Sequence, residues 1–318
     1  MTILYKVTDQ NHQTLNDTQW GPDVSHGPTS GYGELCSPGW IHAYKSAKDA
    51  AVMYREHVYF ENPVLWEAEG IVEKESSDLK IGTTVLRTIR IIPFPEMTSE
   101  DINFYLNHAN RFVRTAAIRH PNANEKHINR ALKDVQGHIR EMAIKHPNAT
   151  VKNIDKALKD RDWMVRRVAI EHPNANEKHI DRALKDKERE VRYAAIKHPN
   201  VNEKHIDKAL NDDNEDVRFW AIKHPNANEK NIDKALNDVD CFIRRVAICH
   251  SNFTSKHIDK ALNDIDWMVR RDAISHPNAT TDHITKALND DHEYVREAAQ
   301  AKIKEAYKTP NNNQTSVS

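Results

Sequence analysis

The sequence has little of what builds a large compact core or an extracellular fold. Its three cysteines, Cys36, Cys241 and Cys249, are too few for a disulfide framework, and their odd number leaves one over. The opening residues Met1–Lys6 carry no basic flank and no long apolar run, so no signal peptide is read and cytoplasmic residence is expected. No window approaches the roughly 18 apolar residues that cross a bilayer, so no membrane partner is expected. Apolar residues make up only 38% of the chain and aromatics 7%, with a mean hydropathy of −0.79. Globular domains run near 45–50% apolar on a similar residue set, so one thick core is excluded. Disorder or a thin, elongated core remains. Charge of one sign is also missing: 46 Lys+Arg face 47 Asp+Glu. That balance excludes a globally basic nucleic-acid binder, though not a local patch. Glycine is scarce, at 8 of 318 residues, and seven of the eight lie before residue 90.

What is present is a repeat. His-Pro-Asn begins at His120, His146, His172, His198, His224 and His276, and His250-Ser251-Asn252 fills the gap, at a constant interval of 26 residues. Seven units run from Arg111 to His292, with a half-unit before them and a truncated one after, to about Lys308. Residues 189–214 show the design. Val191, Ala195 and Ile196 form the stripe of a short amphipathic helix, which Pro199 ends. Asn200 or Asn202 can cap a second helix, whose stripe is Ile206, Ala209 and Leu210. Asp212 and its equivalents can cap the next unit's first helix. About five modest apolar side chains per unit cannot hold one unit alone, so neighbours must stack into an α-solenoid. The pattern leaves its hand open.

The pattern D-x-x-x-x-V-R-x-x-A-I-x-H-P-N resembles the leucine-rich repeat variant family, a relative of HEAT-like helical repeats. Asp186, Val191, Arg192, Pro199 and Asn200 match, and His198 stands where the family usually has Asn. The resemblance spans about residues 98–308 and implies architecture and macromolecular binding. The family's founding members add a cysteine-rich iron–sulfur segment. None occurs here, so no cofactor is carried over.

Arginine recurs at one position from Arg114 to Arg296, where it is expected to lock neighbouring units. The turn histidines, and the second His seven residues on in five units, are read as hydrogen-bonded turn groups. Equivalent residues of adjacent units lie too far apart for the three or four ligands of one metal ion, so no metal is expected. Positions that vary between units speak for partners. On the first-helix face away from the stripe stand Trp163, Arg167, Tyr193, Phe219, Trp220, Arg245, Trp267 and Arg271. These residue types dominate interface hot spots, so a protein partner is expected there. Residues 111–292 hold 34 Lys+Arg and 29 Asp+Glu, with the excess concentrated in the first three units. Lys126, Arg130, Lys152, Lys156, Lys178 and Arg182 line second helices there and offer a nucleic-acid surface as an alternative.

The first 97 residues differ in kind. Residues 1–110 hold 8 Lys+Arg and 15 Asp+Glu. Strands are expected at Ile3–Val7, Val64–Glu69 and Val85–Ile92, with a helix from Ser46 to about Glu56. The segments Gly39–Tyr44 and Leu65–Gly70 resemble an uncharacterised domain common in phage and prophage proteins, which implies a viral or mobile-element origin. The same strand–helix–strand is loosely similar to ADP-ribosyltransferase folds, which would make Tyr44 and Glu67 or Glu69 catalytic candidates. The expectation is therefore an α+β head (1–97), an all-α solenoid of seven 26-residue two-helix repeats (98–308) and a disordered tail (309–318). The expected function is non-enzymatic binding of a protein, with an anti-defence role implied by the phage resemblance. Oligomeric state is not specified by the pattern.

Overall fold

The structure, a computed structural model, describes residues 1–14, 17–35, 37–57 and 60–308. Cys36 and the tail from Thr309, expected to be disordered, lie outside the described residues. The chain divides into two compact units, Met1–Ala169 and Ile170–Ser318.

The first unit begins with strands β1 (Thr2–Thr8), β2 (Gln13–Thr14), β3 (Thr18–Gln19), β4 (Ser25–His26) and β5 (Ile41–Tyr44). Helix α1 (Ala47–His57) follows, then β6 (Val64–Gly70), β7 (Lys74–Glu75), β8 (Lys80–Thr83) and β9 (Leu86–Ile92). Seven strands form one antiparallel sheet in the order β4-β9-β6-β1-β5-β8-β7, and β2 and β3 form a separate pair. The three expected strands and the helix are present, while the short strands between them escaped the sequence pattern. Leu4, Ala43, Ala68, Ile81 and Leu86 make the core, and the fully buried Trp66 donates from Nε1 to Thr8 Oγ1 at 3.1 Å.

Helix α2 (Ser99–Leu106) is the half-unit. The repeats follow as α3 (Arg111–Arg119) with α4 (Glu125–Ala131), α5 (Gly137–Lys145) with α6 (Val151–Ala157), and α7 (Trp163–Glu171) with α8 (Glu177–Ala183). Next come α9 (Arg189–Ile196) with α10 (Glu203–Ala209), α11 (Glu215–Lys223) with α12 (Glu229–Ala235), and α13 (Cys241–Ile248) with α14 (Ser255–Ala261). The series closes with α15 (Trp267–Ser275), α16 (Thr281–Ala287) and α17 (Glu293–Lys308). In the 189–214 unit Val191, Ala195, Ile196, Ile206, Ala209 and Leu210 are all buried, joined by Ala194 and Val201. Asn202, not Asn200, caps the second helix, and His205 closes a capping box by accepting from the Asn202 amide through Nδ1 at 3.1 Å. Asn153 and Asn231 supply the same acceptor in units without that histidine. The recurring Asp does not cap the next helix. It bonds the amide two residues on, as Asp212 does with Asn214 at 3.0 Å, and Asn214 is the cap.

That frees the Asp for a second task. Arg192 donates from Nε and Nη2 to the two Asp212 carboxylate oxygens at 2.7 and 2.8 Å, and from Nη1 to the Asp186 and Lys187 carbonyls. One guanidinium thus ties the loop before its own unit to the loop after it. The same bonds join Arg114 to Asp134, Arg140 to Asp160, Arg218 to Asp238, Arg244 to Asp264 and Arg270 to Asp290. Only the fork of five fixed N–H donors fits this set of acceptors. The turn histidines add a second tie. His198 Nδ1 accepts from the Asn200 amide, so Nε2 carries the proton and donates to the His172 carbonyl one unit back at 3.3 Å.

In the first unit the head is docked on the earliest helices. Lys48 pairs with Asp101 at 2.7 Å, Tyr105 donates to Asp49 at 2.8 Å, and Arg119 of α3 pairs with Glu56 of α1 at 2.7 Å.

Two stability predictions follow from these ties. Arg218→Ala leaves Asp238, whose side chain is 5% exposed, without its partner, and loss of a buried pair's partner costs about 3–5 kcal/mol. The urea midpoint is expected to fall well below wild type, while Lys223→Ala, on the exposed face, leaves it nearly unchanged. Acid should act in two stages. Burial lowers the affinity of His146, His198 and His224 for protons against the opposing pull of their carbonyl partners. A base whose folded pKa is depressed contributes full stability above its unfolded value, about 6.5, and loses it as pH falls below that value. The hydrogen bond from Arg270 holds Asp290 down to about 2, so its contribution is present above the unfolded value of about 4 and is lost as pH falls toward 2. Urea titrations at pH 7.5, 5.5 and 3 are expected to show both losses. The triple change His146→Asn, His198→Asn and His224→Asn should flatten only the first, and an unchanged first stage would refute the histidine assignment.

Candidate protein-binding face

The Val or Ile, Arg, Ala and Ile positions that recur in each first helix are committed to core and clamp. With 3.6 residues per turn, the second, fifth and ninth positions are left on the opposite side and the sixth on its flank. In the Ile170–Ser318 unit they carry an aromatic row. Tyr193 of α9 meets Trp220 of α11 edge-on at 6.1 Å, Trp220 meets its neighbour Phe219 at 5.5 Å, and Phe219 stacks on Phe242 of α13 at 5.6 Å. Two exposed lysines lie over these rings. Lys197 is 4.3 Å from the Trp220 ring centre, and Lys223 is 5.1 Å from Trp220 and 5.4 Å from Phe219.

Beyond Phe242 the row opens into a cleft of about 500 Å³, lined by Phe219, Phe242, Arg245, Cys249 and Asp272 among others. Arg245 and Arg271, expected as free grips on a partner, both pair with Asp272, at 2.6 and 2.7 Å. The cause is local: Asp272 takes the sixth position of α15, beside both guanidiniums. Arg271 also lies over Trp267, which stacks on His292 at 4.2 Å and touches Tyr294. Six of the eight expected residues thus belong to the second unit. Trp163 and Arg167 form a ring–guanidinium pair in the first. Sequence reasoning passed over Lys197, Lys223 and Asp272 as site residues. The signal for the two lysines is their recurrence at the ninth position counted from the start of α9 and of α11.

The second-helix cations are arranged differently. Lys126, Arg130, Lys152, Lys178 and Arg182 are exposed, while Lys156 hydrogen-bonds Asn129 Oδ1 of the preceding unit. Lys208 and Lys234, one and two units further on from Arg182, donate to the carbonyls of Asp181 and Asp207 in the same manner. Part of this basic row therefore serves stacking.

The residues named as enzymatic candidates in the head have other partners, and Tyr44 and Glu67 stand opposite Tyr5 from its two sides in the sheet. Tyr44 is buried and hydrogen-bonds His57 Nδ1 at 2.7 Å, whereas Glu67 and Glu69 pair with Arg90 and Arg87 across the sheet at 3.1 and 2.7 Å. Among the described residues, no group of three or more His, Cys, Asp or Glu side chains gathers as a metal site, and no helix is long and apolar enough to cross a membrane.

No family model and no curated protein matches the chain. Among solved structures, it is similar to a leucine-rich repeat variant with a novel repetitive structural motif, at 18% identity and a TM-score of 0.52, over 63% of this chain and 80% of that one. A designed armadillo repeat protein in complex with the peptide (KR)4 aligns at 15% identity over 66% of this chain and 99% of its own, with a TM-score of 0.22. The first likeness is one of fold: an α+β head is followed by an all-α solenoid similar in its repeats to the leucine-rich repeat variant.

Proposed function

We propose that the chain is a non-enzymatic binding protein whose first-helix face, between Tyr193 and Asp272, holds an acidic segment of a protein partner. The observation that carries this reading is the aromatic row Tyr193–Trp220–Phe219–Phe242 with Lys197 and Lys223 above it and an apolar cleft at its end. Half-buried rings offer an anchor with little side-chain entropy to lose, and the lysines favour carboxylates beside it. The chain contains its own precedent: Arg119, at the ninth position of α3, is gripped by Glu56 of the head. A partner carboxylate would meet Lys197 or Lys223 at the same helix position. We further infer, from the head's resemblance to a phage domain, that the partner is a host defence factor, sequestered in the cytoplasm.

Affinity capture from the native host, with and without nuclease, tests this reading. Phe219→Ala with Trp220→Ala is expected to weaken binding of the captured protein at least 30-fold, about 2 kcal/mol for a hot-spot pair, with helical circular dichroism unchanged. Lys197→Glu with Lys223→Glu should also weaken it and reduce its salt dependence. Capture that survives the aromatic change, or that nuclease abolishes, would overturn the reading. The nuclease outcome, with sensitivity to loss of Lys126, Lys152 and Lys178, would move the function to nucleic acid.

A further inference from the structure

The cleft at the end of the aromatic row has an apolar lining and a charged rim. Ile222, Pro225 and Val246 line it together with the stacked rings of Phe219 and Phe242, around a volume of about 500 Å³. Phe219 covers one face of the Phe242 ring, at an interplanar angle of 8°, yet Phe242 remains 53% exposed. A ring with half its surface in water beside a cleft of that volume has room for another ring. Ring pairs attract beyond the apolar area that they bury.

Polar groups in the lining already hold one another. His250 Nδ1 accepts from the Asn252 amide at 3.1 Å, so Nε2 carries the proton and donates to the His224 carbonyl at 3.2 Å. Arg245 Nε donates to Asp272 Oδ2 at 2.6 Å, and Arg271 Nη2 donates to Asp272 Oδ1 at 2.7 Å. A side chain with a polar tip would lose its water on entering and compete for these partners, so an apolar side chain suits the cleft better.

The rim is positive on both sides. Lys223 of α11 is exposed at one. At the other, the Arg245 and Arg271 guanidiniums share the single Asp272 carboxylate, which leaves a net positive charge. Their side chains stay 32% and 36% exposed, so an incoming carboxylate can reach them.

We propose that this cleft takes a phenylalanine side chain of the partner, with acidic residues on both sides of it in the partner's sequence. The ring lies against Phe242, one carboxylate meets Lys223 and another meets Arg271. The inference rests on the reading of this face as the site of an acidic segment, and it names the anchor of that segment. Leucine would also enter, but without the ring contact that the Phe219–Phe242 wall offers.

Calorimetric titration of the full chain with the acetylated and amidated peptide Glu-Glu-Phe-Glu-Glu tests the assignment. Peptides with Leu or Ala at the centre, and Lys-Lys-Phe-Lys-Lys, are the separate arms. The phenylalanine peptide is expected to bind roughly tenfold or more tightly than the alanine and the lysine-flanked peptides, with the leucine peptide between. Cys249→Trp, which fills the cleft from an exposed position of its lining, is expected to abolish the preference for phenylalanine over alanine. Phe242→Ala should reduce the same preference and decides the matter if Cys249→Trp fails to fold. Equal binding of the phenylalanine and alanine peptides, both weakened by Lys197→Glu with Lys223→Glu, would overturn the cleft assignment and leave the acidic-segment reading standing. A leucine peptide that binds as tightly as the phenylalanine one would overturn the ring contact, and a lysine-flanked peptide that does so would overturn this inference and the reading beneath it. No binding by the phenylalanine peptide overturns the inference alone, since the reading is judged on the protein captured from the host.

Discussion

The repeat region depends on one guanidinium held between two loops. Helices of seven to nine residues are too short to be stable alone in water, and each unit here has only two of them. The Arg192 side chain bonds the carbonyls that precede its helix and the carboxylate that ends its unit, 20 residues away. Those bonds fix the path length between the two loops, because an inserted residue would carry Asp212 out of reach of the fork. A constant 26-residue spacing is what such a gauge requires. In a stack where each unit touches only its neighbours, the gauge has to recur in every unit. At the last one, Arg296 keeps its carbonyl bonds to Asp290 and Asp291.

Fixing stability at a few positions is what leaves others open to function. Val217, Ala221 and Ile222 of α11 face the core and Arg218 the clamp, which leaves Phe219 and Trp220 half-buried and Lys223 exposed. Rings there rest on rings of the neighbouring helix, which holds them in place before any partner arrives. The same positions serve inside the chain: Arg119 docks the head through Glu56.

Most of the solenoid was legible because its signals are local and repeated. Pro199 after His198, the Val191–Ala195–Ile196 stripe and an Asn before Glu203 each define a helix end or face without long-range information. What was misplaced depended on geometry between loops. Asp212 reads as a cap from sequence, yet its carboxylate is shared between an amide two residues on and an arginine 20 residues back. The head was less legible because a seven-stranded antiparallel order joins residues far apart in sequence. That pairing put Glu67 opposite Arg90 and left Tyr44 to His57, partners that spacing along the chain does not show.

The acidic head sharpens the same point about charge. A net count says that residues 1–110 repel anions, and the surface glutamates bear that out by pairing with Arg87, Arg90 and Lys45. A cleft in the head inverts the sign locally, since Lys6 and Lys80 are buried together where water cannot screen them. Rings beside cations occur twice in this chain. On the helix face Lys197 and Lys223 stand over the rings of α11, and in the sheet Lys6 stands over Trp20 while donating to the His42 carbonyl.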